Sequence, residues 1–150
     1  MEIVLAADHN GWELKNQLVL WLKEKQIAVI DVGANSLEPN DDYPDYAVKA
    51  AETVAQSPDN RRGVLICGTG IGMSVAANKV KGVRAANLND TKMAETAQRD
   101  GQINILTLGA KFISFSQAQA VIEAWLNTPF SAEERHQRRI RKISDYEKNN

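Results

Sequence analysis

Residues 63–74 read GVLICGTGIGMS, and this stretch decides the fold. An apolar run over 63–67, too short for a helix and bounded by glycine, reads as a buried strand. Glycines 68, 70 and 72 follow at once, and 73–80 (MSVAANKV) then reads as a helix. A strand passing through a glycine turn into a helix is half of a βαβ unit. The spacing is G-x-G-x-G rather than G-x-G-x-x-G, because position 73 is Met, and no G-K-[ST] follows. Dinucleotide and Walker-type phosphate loops are therefore disfavoured.

Working outward, the same alternation fills the chain. Strands are expected at 3–7, 27–32, 83–87 and 103–108. Helices are expected at 12–25, 45–56, 90–100 and 114–126, with a basic C-terminal helix over 131–147. Trp12, Leu14, Leu18, Trp21 and Leu22 give the first helix its apolar face, and Pro44 suits a helix's first turn. Five strands alternating with helices predict an α/β fold: a three-layer, doubly wound, five-stranded parallel sheet. No repeat, low-complexity tract or linker divides residues 1–150, so a single domain is expected. In open sheets of this kind ligands bind beyond the carboxyl ends of the strands. Those ends are Asp8–His9, Asp31–Gly33, Cys67–Gly72, Asn87–Asp90 and Gly109–Lys111.

Composition narrows the function classes. Hydrophobic residues at 43% and charged residues at 25% place the chain among globular proteins. A net charge of −1 argues against a general nucleic-acid binder. One cysteine permits no internal disulfide and fits a reducing, cytoplasmic setting. The start, MEIVLAADHNG, has no basic leader region and only five consecutive apolar residues, so neither a signal peptide nor a membrane span is expected.

Several residues can carry chemistry. Cys67, at a strand's carboxyl end beside a helix start, can serve as base or nucleophile; it can equally be a buried structural thiol. The amides after Gly68 can hold a developing oxyanion, or simply form a tight turn. Thr69 and Ser74 can donate hydroxyls or act as caps. Asp8 and His9 can bind hydroxyls or move a proton, or Asp8 can cap the next helix. Tyr43 and Asp45 sit on a turn. Arg135 and Arg139, four apart on one helix face, suit a phosphate clamp; a solvated charged face is the plainer reading.

Taken together, ADHNGWELK (7–15), DYPDYA (42–47), ICGTGIGMSVAANKVKGVRAA (66–86), NILTLGAK (104–111) and RHQRR (135–139) resemble the type B ribose-5-phosphate isomerases, a family that includes galactose- and allose-phosphate isomerases. The likeness runs along essentially the whole chain. It implies a Rossmann-like sheet and a homodimer with active sites at the subunit interface, and leaves dimer against tetramer open. It implies an aldose–ketose isomerisation of a sugar phosphate, ribose 5-phosphate and ribulose 5-phosphate foremost, with no metal and no organic cofactor. By position it makes Cys67 the base between carbons 1 and 2. Thr69 and the amides of Gly70, Ile71, Gly72, Met73 and Ser74 would hold the enediolate oxygens, with Gly68 beside them. Asp8, His9, Tyr43, Asn104 and Lys111 would contact substrate, and Arg135, His136 and Arg139 the phosphate.

Two departures stand out. Asp100 occupies the place where many relatives carry a ring-opening histidine, and Lys111 the place of an arginine. A tetrose 4-phosphate cannot close a furanose ring, so Asp100 suggests a shorter substrate. Alternatively Asp100 or His9 opens the ring, or the ring opens unaided. A hexose 6-phosphate substrate and a non-catalytic partner subunit are the remaining alternatives; the presence of Cys67 argues against the last.

Overall fold

The apolar runs become five strands: β1 (Glu2–Ala7), β2 (Ala28–Asp31), β3 (Arg61–Cys67), β4 (Ala85–Asn87) and β5 (Ile105–Gly109). The helices are α1 (Trp12–Glu24), α2 (Tyr43–Ala55), α3 (Ile71–Ala77), α4 (Thr91–Gly101), α5 (Phe115–Asn127) and α6 (Glu134–Asn149). The computed structural model describes residues 1–149. All strand pairings are parallel, in the order β2-β1-β3-β5-β4. The doubly wound α/β sheet predicted from the sequence is the fold observed.

Alternation along each central strand sorts side chains onto two buried faces. Ile3, Leu5, Val64, Ile66, Leu106 and Leu108 face a core closed by α1, α4 and α5. Val4, Ala6, Leu65, Cys67 and Ile105 face the other, closed by α2 and α3. The second face is lined by small side chains, Ala47, Ala50 and Ala51, which lets α2 approach the sheet closely. Leu18 and Leu22 are fully buried on α1, each stabilising the fold by about 1.5–3 kcal/mol through removal from water.

Element ends shift where local bonding overrides periodicity. α3 begins at Ile71 because Gly70, at φ 77, turns the chain, and it stops early because Asn78 bonds back to the Ser74 and Ala85 carbonyls. β4 starts two residues later than the apolar run, since the Arg84 N–H is taken by Asn104 Oδ1 rather than by a strand. α6 starts at Glu134, after Ala132 at φ 53 breaks the helical path.

Candidate active site

From β1 the chain winds outward to β2, then returns across β1 to β3 on the other side. The carboxyl ends of β1 and β3 therefore frame the crevice at which doubly wound sheets bind ligands. Ala7 pairs with Ile66, so Asp8 and Cys67 leave adjacent strands side by side. Gly11 permits this crowding: a Cβ there would lie 2.5 Å from the Ile66 carbonyl oxygen.

Cys67 Sγ accepts the Gly70 N–H at 3.1 Å, and the residue is 4% exposed. The glycine loop is fixed from three sides. Thr107 Oγ1 donates to the Gly70 carbonyl at 2.9 Å, Asn87 Nδ2 donates to the Thr69 carbonyl at 3.1 Å, and the Tyr43 ring lies where a Gly72 Cβ would be. Thr69 is exposed, with its Oγ1 accepting the Ile71 N–H at 3.3 Å. The amides of Gly72 and Met73 have no acceptor among the described residues, whereas the Met73 side chain is fully buried. Ser74 donates its N–H to the Gly70 carbonyl and its hydroxyl to Ala85 O. Lys111 packs its Cε beside Gly68 and donates its backbone N–H to the Gly68 carbonyl, bringing a cation to the crevice.

On the β1 side, Asp8 is 4% exposed and accepts the Asn10 and Gly11 N–H groups at 3.0 and 3.1 Å. Burial pushes its carboxyl above the usual 3.8, against the lowering effect of the Gly11 amide, the His9 ring and the Asn10 amide. Because the folded state favours protonated Asp8, its charge opposes folding once the pH passes the ordinary carboxylate range. Asp8→Asn keeps an oxygen for both amides and removes that charge. We expect its melting temperature to exceed that of the unmodified chain at about pH 7 and to match it at about pH 3. An equal difference at both pH values would refute the buried-charge account.

His9 was foreseen, but its partner Asp41 was not. Asp41 Oδ1 lies 2.6 Å from His9 Nδ1 and accepts the His9 N–H at 3.0 Å. Burial pushes the Asp41 carboxyl up, but the bonds from the His9 ring and amide and the Tyr46 hydroxyl outweigh it and hold it below 3.8. The two residues are 32 positions apart, and a turn aspartate carries no periodic signal that could have linked them. Asp8, His9 and Asp41 each bring one potential ligand atom within 4.8 Å of the others. The 2.6 Å separation of the histidine nitrogen and carboxylate is that of a shared proton, not of two ligands around an ion.

The remaining predicted residues lie elsewhere. Asn104 precedes β5, at the amino edge of the sheet. It is 3% exposed, and its amide accepts the Arg84 N–H at 2.8 Å and donates to Gly82 O at 2.8 Å. Both ends of the side chain are thus occupied within the fold. Asp100, at the end of α4, also belongs to the amino edge, paired with Arg99 at 2.9 Å. His136 lies apart from the two arginines. It is turned inward, 4% exposed, with Nδ1 2.8 Å from Ser131 Oγ and 3.9 Å from Asp100, instead of sharing the solvent face of Arg135 and Arg139. Arg135 pairs with Glu133 at 2.9 Å, and Arg139 is exposed with no ion pair among the described residues. Four residue steps of β5, roughly 13 Å, separate this edge from the Cys67 edge. A concavity of 670 Å³ lies along α4, lined by Leu88, Met93 and Ala97 together with Thr91, Lys92 and Thr96.

The crevice thus unites a thiol, free amides, a buried carboxyl, an Asp–His pair and a lysine. A ribose/galactose isomerase family model matches residues 3–143. The chain belongs to the ribose/galactose isomerase family. It is 43% identical over 131 residues to the ribose-5-P isomerase B of Listeria innocua, covering 87% of each chain. The ribose-5-phosphate isomerase B of Mycoplasma genitalium, solved with bound ribulose-5-phosphate, superposes with a TM-score of 0.96 at 43% identity, covering 99% of this chain and 97% of that one. The Clostridium thermocellum ribose-5-phosphate isomerase B gives a TM-score of 0.94 at 39% identity, covering 99% of both. The chain is accordingly an aldose–ketose isomerase of this family, and among the described residues no helix is long and apolar enough to cross a membrane.

Proposed function

We propose that this isomerase interconverts ribose 5-phosphate and ribulose 5-phosphate through an enediolate, with Cys67 moving the proton between carbons 1 and 2. The observation that carries this reading is the Cys67 sulfur itself, set at the switch point between β1 and β3 and bonded to the Gly70 amide at 3.1 Å. Donors must meet the charge that develops on the enediolate oxygens. The Gly72 and Met73 amides and the Thr69 hydroxyl stand beside the thiol for that purpose. Relatives solved and named as ribose-5-phosphate isomerases support the choice of sugar.

The phosphate clamp comes from a second copy of the chain. Arg135 and Arg139 lie across the sheet from their own Cys67, while Lys111 lies beside it. A homodimer in which α6 of one protomer reaches the crevice of its partner brings the two halves together. Such a protein works in a reducing cytoplasm, where Cys67 stays a free thiol. Asp100 in the place of a ring-opening histidine favours one second reading, a tetrose 4-phosphate substrate that never forms a furanose ring.

Turnover measured on ribose 5-phosphate, erythrulose 4-phosphate and hexose 6-phosphates tests this. We expect the pentose to have the highest kcat/KM. A higher value for either other class would overturn the choice of substrate. In mixed dimers of Cys67→Ala and Arg139→Ala chains, activity should return to about a quarter of the normal level, because one combined site in such a population is intact.

A further inference from the structure

α6 carries Arg135 and Arg139 and rests on its own chain at few points. His136 is the one buried residue of this helix among those described. At the far end Glu147 Oε2 accepts the Gly82 N–H at 3.1 Å. Between these two points a concavity of 480 Å³ separates helix from sheet. It is lined by Val83, Ala85 and Ile103 near the amino edge and by Ile143 of α6, among others. A helix with so little buried surface takes its orientation from its few fixed points. The point at His136 is built from three segments. Its Nδ1 lies 2.8 Å from Ser131 Oγ and 3.9 Å from the Asp100 carboxylate. Ser131 is itself held: its N–H donates to the Arg99 carbonyl at 2.9 Å, and its Oγ accepts the Glu133 N–H at 3.4 Å. Asp100 is steadied by Arg99 Nε at 2.9 Å. The imidazole is thus clasped between the last turn of α4 and the turn that leads into α6. A polar group so removed from water is costly to leave without a partner, and the clasp resists opening.

We propose that His136, clasped by Ser131 and Asp100, is a positioning residue that sets the roll of α6 and so aims Arg135 and Arg139 at the substrate phosphate in the partner's crevice. This rests on the reading of those arginines as the phosphate clamp of a homodimer. At about 100° per residue, Arg135 stands about 100° and Arg139 about 60° from His136, on the same flank of the helix. A roll about the pin therefore carries both guanidiniums together. With the charged groups roughly 6 Å from the helix axis, a roll of about 10° displaces them by about 1 Å. Bidentate contact with a phosphate depends on placement at that scale. His136 touches no substrate in this role; it acts through the arginines. Asp100 gains a task as well, since it sets a carboxylate beside the buried imidazole at the place where many relatives carry histidine.

Splitting KM from kcat separates this role from a structural one. Ser131→Ala removes one hydroxyl and leaves every charge in place. Its KM for ribose 5-phosphate, and the inhibition constant of inorganic phosphate against turnover, should each rise about fivefold or more, with kcat changed by less than about twofold. His136→Ala should raise both constants by about tenfold or more. His136→Asn, whose amide reaches close to where Nδ1 stands, should recover part of that loss. Asp100→Ala should also raise the phosphate inhibition constant, which the loss of a ring-opening group would leave unchanged. Thermal unfolding of each variant establishes that it is folded, and if His136→Ala does not fold, Ser131→Ala decides. Variants that lose stability while both constants stay within about twofold of normal would overturn the proposal, because His136 would then only hold the helix down. Arg139→Ala in the same assays tests the underlying reading. Should it leave phosphate inhibition unchanged, the arginines are no clamp, and the pin falls with it. If Arg139→Ala weakens phosphate inhibition and the His136 and Ser131 variants do not, the clamp stands and the pin alone is refuted.

Discussion

Cys67→Ala should reduce kcat by about 10³-fold or more while leaving the affinity for an unreactive sugar phosphate within a few-fold of normal. The reason is the division of labour within the site. The thiol is the proposed group over carbons 1 and 2, whereas the proposed binding groups lie elsewhere: Lys111, the Gly72 and Met73 amides, and the arginines of α6. The sulfur is 4% exposed and packs with Leu65 and Met73, so its loss leaves only a small void. The Gly70 N–H loses its acceptor at the same time. Together these destabilise the fold by about 1–2 kcal/mol, too little to unfold a domain of this size. Cys67→Ser is the sharper control. It restores an acceptor for Gly70 but supplies a hydroxyl that yields no anionic base near neutral pH, so it should be nearly as inactive as alanine. Steady-state kinetics with calorimetric titration of a phosphorylated sugar analogue gives both quantities. Full turnover by the alanine variant would remove Cys67 as the base.

The second large effect is expected at a residue that touches no reacting atom. Lys15 on α1 is 1% exposed, yet it carries a charge into the interior. Its Nζ meets both oxygens of Asp31 at 2.8 and 2.7 Å and the Ala34 carbonyl at 2.8 Å. Asp31 in turn accepts the Gly33 N–H at 3.1 Å, and Gly33 and Ala34 exchange backbone bonds with Ala7 at 2.8 Å. One ammonium therefore ties α1 and the end of β2 to the residue just before Asp8. Lys15→Ala strands the Asp31 carboxylate and the Ala34 carbonyl and opens a cavity where the aliphatic stem lay. Breaking such a pair from one side costs about 3 kcal/mol, or roughly 6–12 °C in melting temperature for a chain of this length. Lys15→Met refills most of the volume without the charge and should lose less. Thermal unfolding of both variants is the measurement. A shift of under about 2 °C for the alanine variant would show that Asp31 is adequately solvated without its partner.

Sequence and structure agree most closely where physics is local. The continuous apolar run of 63–67 and the helical spacing of Leu14, Leu18, Trp21 and Leu22 reflect burial that each segment carries in its own side chains. The five strands and their helices were legible for that reason. Disagreements cluster where a distant group settles the outcome. The Ser74 hydroxyl finds its acceptor in Ala85, eleven residues on. Asn104 has both ends of its amide occupied around the β4 turn. His136 sits among arginines in the chain yet packs inward against Ser131, because the turn at Ala132 sets the rotation of α6.

By itself the sequence determined the α/β class, the strand ends at which chemistry collects, and the glycine loop that holds Cys67, because each follows from side-chain periodicity or from the backbone freedom of glycine. Only the tertiary structure decided which groups meet. It placed Asp41 behind His9, put Lys15 under the β1–β2 edge, and separated Arg135 and Arg139 from the thiol of their own chain. Those are through-space relations, fixed by sheet order and helix docking, and no short window of residues encodes them.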